Sequence, residues 1–170
     1  MPLYDQRLAR YRVCCDMGDA RFSPCRTWRY SLSRDLDAEN GRGVVTFIGL
    51  NPSTADAVSD DPTTRRCVGF ARSWGFSRME LVNLYAFCAT NPGVALKAVD
   101  PVGPDNMAVV DEILSASDLV ICAWGSFGVG PTADRILEVV SAPHCLGRTK
   151  LGAPRHPLYA PGSTKPLLFS

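Results

Sequence analysis

The sequence predicts an α/β domain: a three-layer α/β/α sandwich with a mostly parallel central sheet. Two observations lead there. A short apolar strand, a loop of turn residues and an amphipathic helix recur three times along the chain, and such units close as parallel strands joined by right-handed crossovers. The 170 residues are 46% hydrophobic and 21% charged, which suits one core of ordinary size rather than two domains. Residues 1–25 show no sustained period and are expected to form an irregular arm or short helix, leaving 26–170 as the single domain.

In chain order, TWRYSLSR at 27–34 alternates, with Trp28, Tyr30 and Leu32 on one face and Arg29, Ser31 and Ser33 on the other, as in a half-buried strand. DAENGRG then marks a turn. VVTFIGL at 44–50 is apolar and β-branched, the pattern of a buried parallel strand, and runs into the turn-rich NPSTADAVSDDP. After Pro62, the spacing of Cys67, Phe70, Ala71 and Trp74 predicts a helix ended by Gly75. MELVNLYAF at 79–87 is the second strand, and Pro104 starts a helix through Met107, Val110, Ile113 and Leu114. DLVICAW at 118–124 is the third strand, GSFGVG its loop and PTADRILEVV its helix, after which one short strand and a loop remain.

Composition excludes several classes of protein. No apolar run approaches the roughly 20 residues of a membrane span, and the first residues lack the apolar core of a secretory signal, so cytoplasmic residence with no membrane partner is the expectation. Cys14, Cys15, Cys25, Cys67, Cys88, Cys122 and Cys145 contain no CxxC pair and read as reduced thiols. Neither metal nor cofactor is expected. Glycines 125, 128 and 130 are spaced GxxGxG, which is not the dinucleotide fingerprint, and no Walker sequence occurs. Formal charge is only +1, but residues 142–170 hold no Asp or Glu, so Arg148, Lys150 and Arg155 are candidate phosphate contacts or simply a solvated face.

Ligands of a parallel sheet bind outside the carboxyl ends of its strands, which directs attention to four loops. In Gly49-Leu50-Asn51-Pro52-Ser53, a polar side chain is held between a strand-ending Gly and a Pro, so Asn51 is either a water- or substrate-holding amide or a plain turn residue. Asn83 sits among apolar neighbours in LVNLYAF and has the donor and acceptor needed to read a nucleobase edge, or to bond backbone. Trp124 and Gly125 end the third strand. In Arg155-His156-Pro157-Leu158-Tyr159, His156 is a candidate donor to a developing anion, with Leu158 or Tyr159 as a wedge, against ordinary loop packing. Asp56, Asp60 and Asp61 before Thr63, Thr64, Arg65 and Arg66 read as helix capping and ion pairing or as a metal loop.

Taken together, G-L-N-P-S, L-V-N-L, I-C-A-W-G and H-P-L-Y resemble in order and spacing the motifs of the uracil-DNA glycosylase superfamily over roughly residues 44–160. The longer strings CRTWRYSLSR, FIGLNPSTADAVSDDPTTRRCVGFARSWGF, VNLYAFCATNP, DPVGPDN, AWGSFG and CLGRTKLGAPRHPLY resemble a bacterial and phage family, domain of unknown function sixteen forty-three, over about residues 25–161. The glycosylase resemblance implies a glycosylase-like fold and cleavage of a nucleobase N-glycosidic bond in nucleic acid or a nucleotide. It implies that Asn51 positions the attacking water, Asn83 reads the base and His156 stabilises the departing base anion. Gly49, Pro52, Ser53, Trp124, Gly125 and Tyr159 would complete the base site, with Phe70 or Trp74 as a stacking partner or as helix core. Classical members carry an Asp where Asn51 stands and HPSPL where this chain has HPLY, and no counterpart of the aspartate-rich loop is expected among them. The alternatives are an inert nucleotide or nucleic-acid binding module on the same fold, and a metal-dependent nucleotide hydrolase using Asp56, Asp60 and Asp61.

Overall fold

A computed structural model of the chain describes residues 12–15, 18–36, 41–127 and 130–169. Residues 37–40 of the expected DAENGRG turn, and Gly128 of the GxxGxG spacing, lie outside the described residues. The strands are β1 (Arg12–Cys15), β2 (Gly18–Phe22), β3 (Arg29–Asp35), β4 (Val44–Gly49), β5 (Arg78–Asn83), β6 (Leu119–Cys122), β7 (His144–Cys145) and β8 (Leu167–Leu168). The helices are α1 (Pro62–Ser73), α2 (Pro92–Leu96), α3 (Asn106–Ser115) and α4 (Pro131–Val139).

The strands form one eight-stranded sheet in the order β1-β2-β3-β5-β4-β6-β7-β8. Pairing is parallel from β5 through β4 and β6 to β7, and antiparallel at both flanks. The expected mostly parallel sheet is therefore mixed. Its parallel centre is the part built by strand–loop–helix units, whereas β1 to β3 connect without an intervening helix and must reverse direction. The segment expected as an irregular arm or short helix supplies β1 and β2.

Val45 and Phe47 of β4 enter one core with Cys67, Phe70, Ala71 and Trp74 of the α1 side, and Ile48 enters a second core with Val109, Val110 and Ile113 of α3 and Ile136 of α4. Alternation along a single strand thus feeds two cores. The α1 stripe is as its spacing predicts. Asp61 caps the helix by accepting from Thr64 N at 2.7 Å, Pro62 occupies its first turn, and Gly75 at φ +79° ends it. Phe70 stacks on Trp74 at 5.5 Å and Trp74 on Phe47 at 5.9 Å, so these rings are helix core. Neither reaches the cleft described below, and the stacking role is withdrawn.

β3 departs from its expected half-burial, since Arg29, Ser31 and Ser33 are as buried as Tyr30 and Leu32. The ladder to β2 shifts register between Arg21, which pairs with Ser31, and Phe22, which pairs with Arg29, so alternation breaks at Tyr30: Leu32 enters one core with Ala20 and Phe22 while Tyr30 enters the other. The loop after β4 reaches both arginines of this strand, Ala55 O accepting from Arg29 NH1 and Asp56 O from Arg34 NH2. Strict alternation thus fails at the register shift, and where it holds it does not say that either face is wet. Elsewhere β5 stops at Asn83, four residues short of the predicted end, and α2 interrupts the second loop. No helix among the described residues is long and apolar enough to cross a membrane.

Candidate functional site

The carboxyl ends of β4, β5 and β6 and the chain after β7 surround a cleft of about 670 Å3. That is within the usual size range of small-molecule sites. Of the residues singled out from sequence, Gly49, Asn51, Ser53, Asn83, Trp124, Gly125, Arg155, His156 and Tyr159 line it. Pro52 is buried outside the lining, and Arg148 and Lys150 are exposed and also outside it. Arg148 instead lies over the Phe169 ring at 4.7 Å.

Asn83 is the most constrained of these groups. The last residue of β5, it is 3% exposed, and its side chain makes no hydrogen bond among the described residues. Its polar atoms are not among the fully buried ones without a partner, so the amide opens on the cleft. Space for it comes from Gly49, the paired last residue of β4, where a Cβ would sit 2.9 Å from Asn83 Nδ2. Gly49→Ala is therefore expected to swing the Asn83 amide out of place. A thermal melt should change by a few degrees at most while ligand affinity falls about tenfold or more, and unchanged affinity would show that Asn83 does not need this placement.

Asn51 follows on the rim. Its Nδ2 donates to Pro52 O at 3.0 Å and Ala89 O at 2.8 Å, tying the first loop to the second. Both partners are carbonyls, so only the NH2 end can face them, and Oδ1 is the end left for the cleft. Asn51 is thus at once the turn asparagine and a cleft acceptor, two roles that sequence alone presented as alternatives.

His156 precedes a 3-10 turn at Pro157–Tyr159 and its Nδ1 accepts from Leu158 N at 3.3 Å. In the neutral ring that places the proton on Nε2, which makes the imidazole a donor. Burial pushes its pKa below the ordinary 6.5, with Asp61 pulling weakly the other way. Gly125, at φ +72°, packs beside it, and a Cβ there would lie 3.7 Å from His156 Cβ. Depression of the folded-state pKa means that the unfolded chain takes up this proton first, so stability is lost as pH falls through about 6.5 toward the folded value. Urea unfolding at pH 7.5 and pH 5.5 should show a larger acid loss for wild type than for His156→Gln. An equal loss in both would mean His156 is not held neutral.

Asp56, Asp60 and Asp61 are engaged by the protein. Asp56 Oδ1 accepts from Val58 N and Ser59 N, Asp60 pairs with Arg34 at 2.7 Å, and Asp61 caps α1. The capping and ion-pairing reading describes Asp61 and Asp60, whereas Asp56 closes a turn within its own loop. Among the described residues no group of three or more His, Cys, Asp or Glu is placed to hold a metal ion. Cys25, Cys67, Cys88, Cys122 and Cys145 are free thiols, and the side chains of Cys14 and Cys15 lie outside the described ones.

The residue that sequence reasoning missed is Arg29. Assigned to a solvent face by alternation, it is 2% exposed and lines the cleft beside Asp61. Burial draws its guanidinium down to about 10, against the attraction of Asp61.

Residues 29–158 match the family described as "Protein of unknown function (DUF1643)". The chain belongs to that family. The DUF1643 match begins at Arg29 and ends at Leu158, and it takes in every cleft-lining residue except Tyr159. The unit that defines the family therefore contains the cleft, whereas β1 and β2 precede it and β8 follows it. No curated protein and no solved structure matches the chain.

Proposed function

We propose that this DUF1643 protein is a glycosylase-like enzyme, a three-layer α/β/α domain of the uracil-DNA glycosylase kind that hydrolyses the N-glycosidic bond of a nucleobase in nucleic acid or a nucleotide. The observation that carries the reading is Asn83: a residue 3% exposed whose side-chain amide makes no hydrogen bond among the described residues and opens on a cleft whose walls hold Asn51 and His156. Such an amide offers a donor and an acceptor side by side, the complement of a base edge.

In the reaction the C1′–N bond breaks and its electron pair leaves with the base. The His156 Nε2–H donates to the charge developing on the base, while the Asn51 Oδ1 accepts a hydrogen bond from the water whose oxygen joins C1′. That water's proton passes to solvent, because an amide cannot take it. Preorganised dipoles of this sort supply much of the stabilisation a dissociative transition state needs. In a duplex the target base would first be extruded, costing about a few kcal/mol. Phe127, Leu158 and Tyr159, 63%, 46% and 79% exposed at the mouth, supply apolar surface for that step, and Arg148 and Lys150 supply phosphate contacts nearby in the chain.

One observation favours the binding-module reading: the Asn51 amide group is committed to loop carbonyls and no carboxylate stands in its place. Against the metal-dependent reading stand the contacts of its residues, a turn at Asp56, an ion pair at Asp60 and a helix cap at Asp61. The deciding experiment is a screen of oligonucleotides bearing uracil, hypoxanthine, xanthine and hypermodified pyrimidines, scored for alkali-labile abasic sites. Strand scission after alkali at one modified base supports the enzyme. Retention of such an oligonucleotide without scission would move the protein to the binding module.

A further inference from the structure

Two arginines of β3 are buried, and the protein treats them differently. Arg34, 3% exposed, is saturated: its guanidinium donates to Asp60 Oδ1 at 2.9 Å, Ser33 O at 2.7 Å and Asp56 O at 2.6 Å, and it forms an ion pair with Asp60. Arg29, 2% exposed, makes one side-chain hydrogen bond among the described residues, from NH1 to Ala55 O at 2.8 Å. Its Nε is buried with no hydrogen-bond partner. No ion pair among the described residues includes it. A guanidinium carries five N–H donors, and leaving a buried charge without a partner costs several kcal/mol.

What separates the two is position, because Arg29 lines the cleft and Arg34 does not. The titratable and charged groups that face Arg29 are Asp61, Cys88 and Asp56, which attract it, and Arg34, which repels it. Asp61 is engaged elsewhere, its Oδ1 accepting the Thr64 N–H at the start of α1, and among the described residues it forms no ion pair with Arg29.

We propose that Arg29 is an anion-binding residue of the cleft and that the ligand carries a carboxylate or phosphate whose oxygens this guanidinium receives. Planar, forked donors suit both groups and match neither a hydroxyl nor a methyl. The proposal rests on the cleft being a ligand site, as proposed above, but not on hydrolysis. It adds a chemical class to the ligand: part of it is negatively charged, and that part lies inside the cleft at Arg29, apart from any phosphate held at the basic surface of Arg148 and Lys150.

Calorimetric titration of the full chain with two matched pairs of probes tests it, uridine against uridine 5′-monophosphate and uracil against its 6-carboxylate. Wild type should bind the charged member of one pair at least about tenfold tighter than the neutral member. The pair that discriminates identifies phosphate or carboxylate as the source. Arg29→Met should bind both members alike, and Arg29→Lys, which keeps the charge without the fork, should retain part of the preference. Arg29→Met should stay folded because no ion pair is broken, whereas Arg34→Met, which orphans Asp60, should melt markedly lower. If Arg29→Met does not fold, Arg29→Lys against wild type gives the comparison. Equal binding of charged and neutral probes to wild type, a preference that survives Arg29→Met, or no binding of either anion overturns the proposal. The oligonucleotide screen is read independently, so base release without an anion preference would sink this proposal and leave the glycosylase reading standing.

Discussion

His156→Ala is expected to slow nucleobase release by about 100- to 1,000-fold at saturating substrate, the scale set by deleting one donor to a developing anion. Its ring is held by the Leu158 N–H on Nδ1, so Nε2–H is fixed in direction before substrate arrives, and burial keeps the ring neutral. A neutral donor that gains strength as charge builds on the base acts on the transition state more than on the ground state. The rate should therefore fall with little change in binding. His156→Gln, which keeps a donor of different reach, should recover part of the loss. Single-turnover rates with excess enzyme measure this, and a fall in affinity with an unchanged rate would assign His156 to binding alone.

Asn83→Leu is the second large effect, and it has the opposite signature. The side chain is similar in size and apolar, so the β5 end should keep its packing and the thermal midpoint should hold within a few degrees, because the amide it replaces makes no hydrogen bond among the described residues. Affinity should fall about 100-fold, since a polar base edge would then be buried without partners. Asn83→Asp separates recognition from packing further: it keeps the shape and removes the donor, so any ligand that needs that donor is rejected while one that offers two donors is favoured. Calorimetry with the base found in the screen gives the comparison. Wild-type affinity in Asn83→Leu would remove Asn83 from the recognition site.

The parallel centre of the sheet was legible because its local signals agree with one another. Val44 to Leu50 is apolar and β-branched, Pro62 opens a helix with a clear stripe, and Gly75 closes it. Once those units are seen, the rule that ligands gather beyond the carboxyl ends of parallel strands suffices to collect Asn51, Asn83, Trp124 and His156 around one cleft. What escaped was whatever depends on long-range covering. β1 and β2 mix Arg with Asp and have their place from long-range contacts: β1 pairs with β2, β2 with β3, and Ala20 and Phe22 of β2 join the core. The five residues of α2 are too few to show a period. Arg29 sits in a strand whose alternation looks half-exposed, and neither the register shift against β2 nor the Ala55 carbonyl that reaches its guanidinium is visible in the sequence.

Asn51 shows a different limit. Sequence placed a polar anchor there but gave no sign that both amide hydrogens are spent on Pro52 O and Ala89 O. The same contacts explain why an Asp is ill suited to the position, because a carboxylate oxygen would face two carbonyls in place of two hydrogen bonds. Asn51→Asp is accordingly expected to lose about 1–3 kcal/mol of stability in denaturant titration rather than to install a general base at no cost.

The central claim is that this cleft breaks a bond to a nucleobase, and the most direct measurement is the single-turnover rate of base release for wild type, Asn51→Ala and His156→Ala on the substrate found by the screen. Binding of that oligonucleotide should survive both substitutions, because the contacts act chiefly in the transition state. The account predicts that each variant releases base far more slowly than wild type at saturation. Rate constants near wild type in both variants would contradict it and leave the cleft as a binding site.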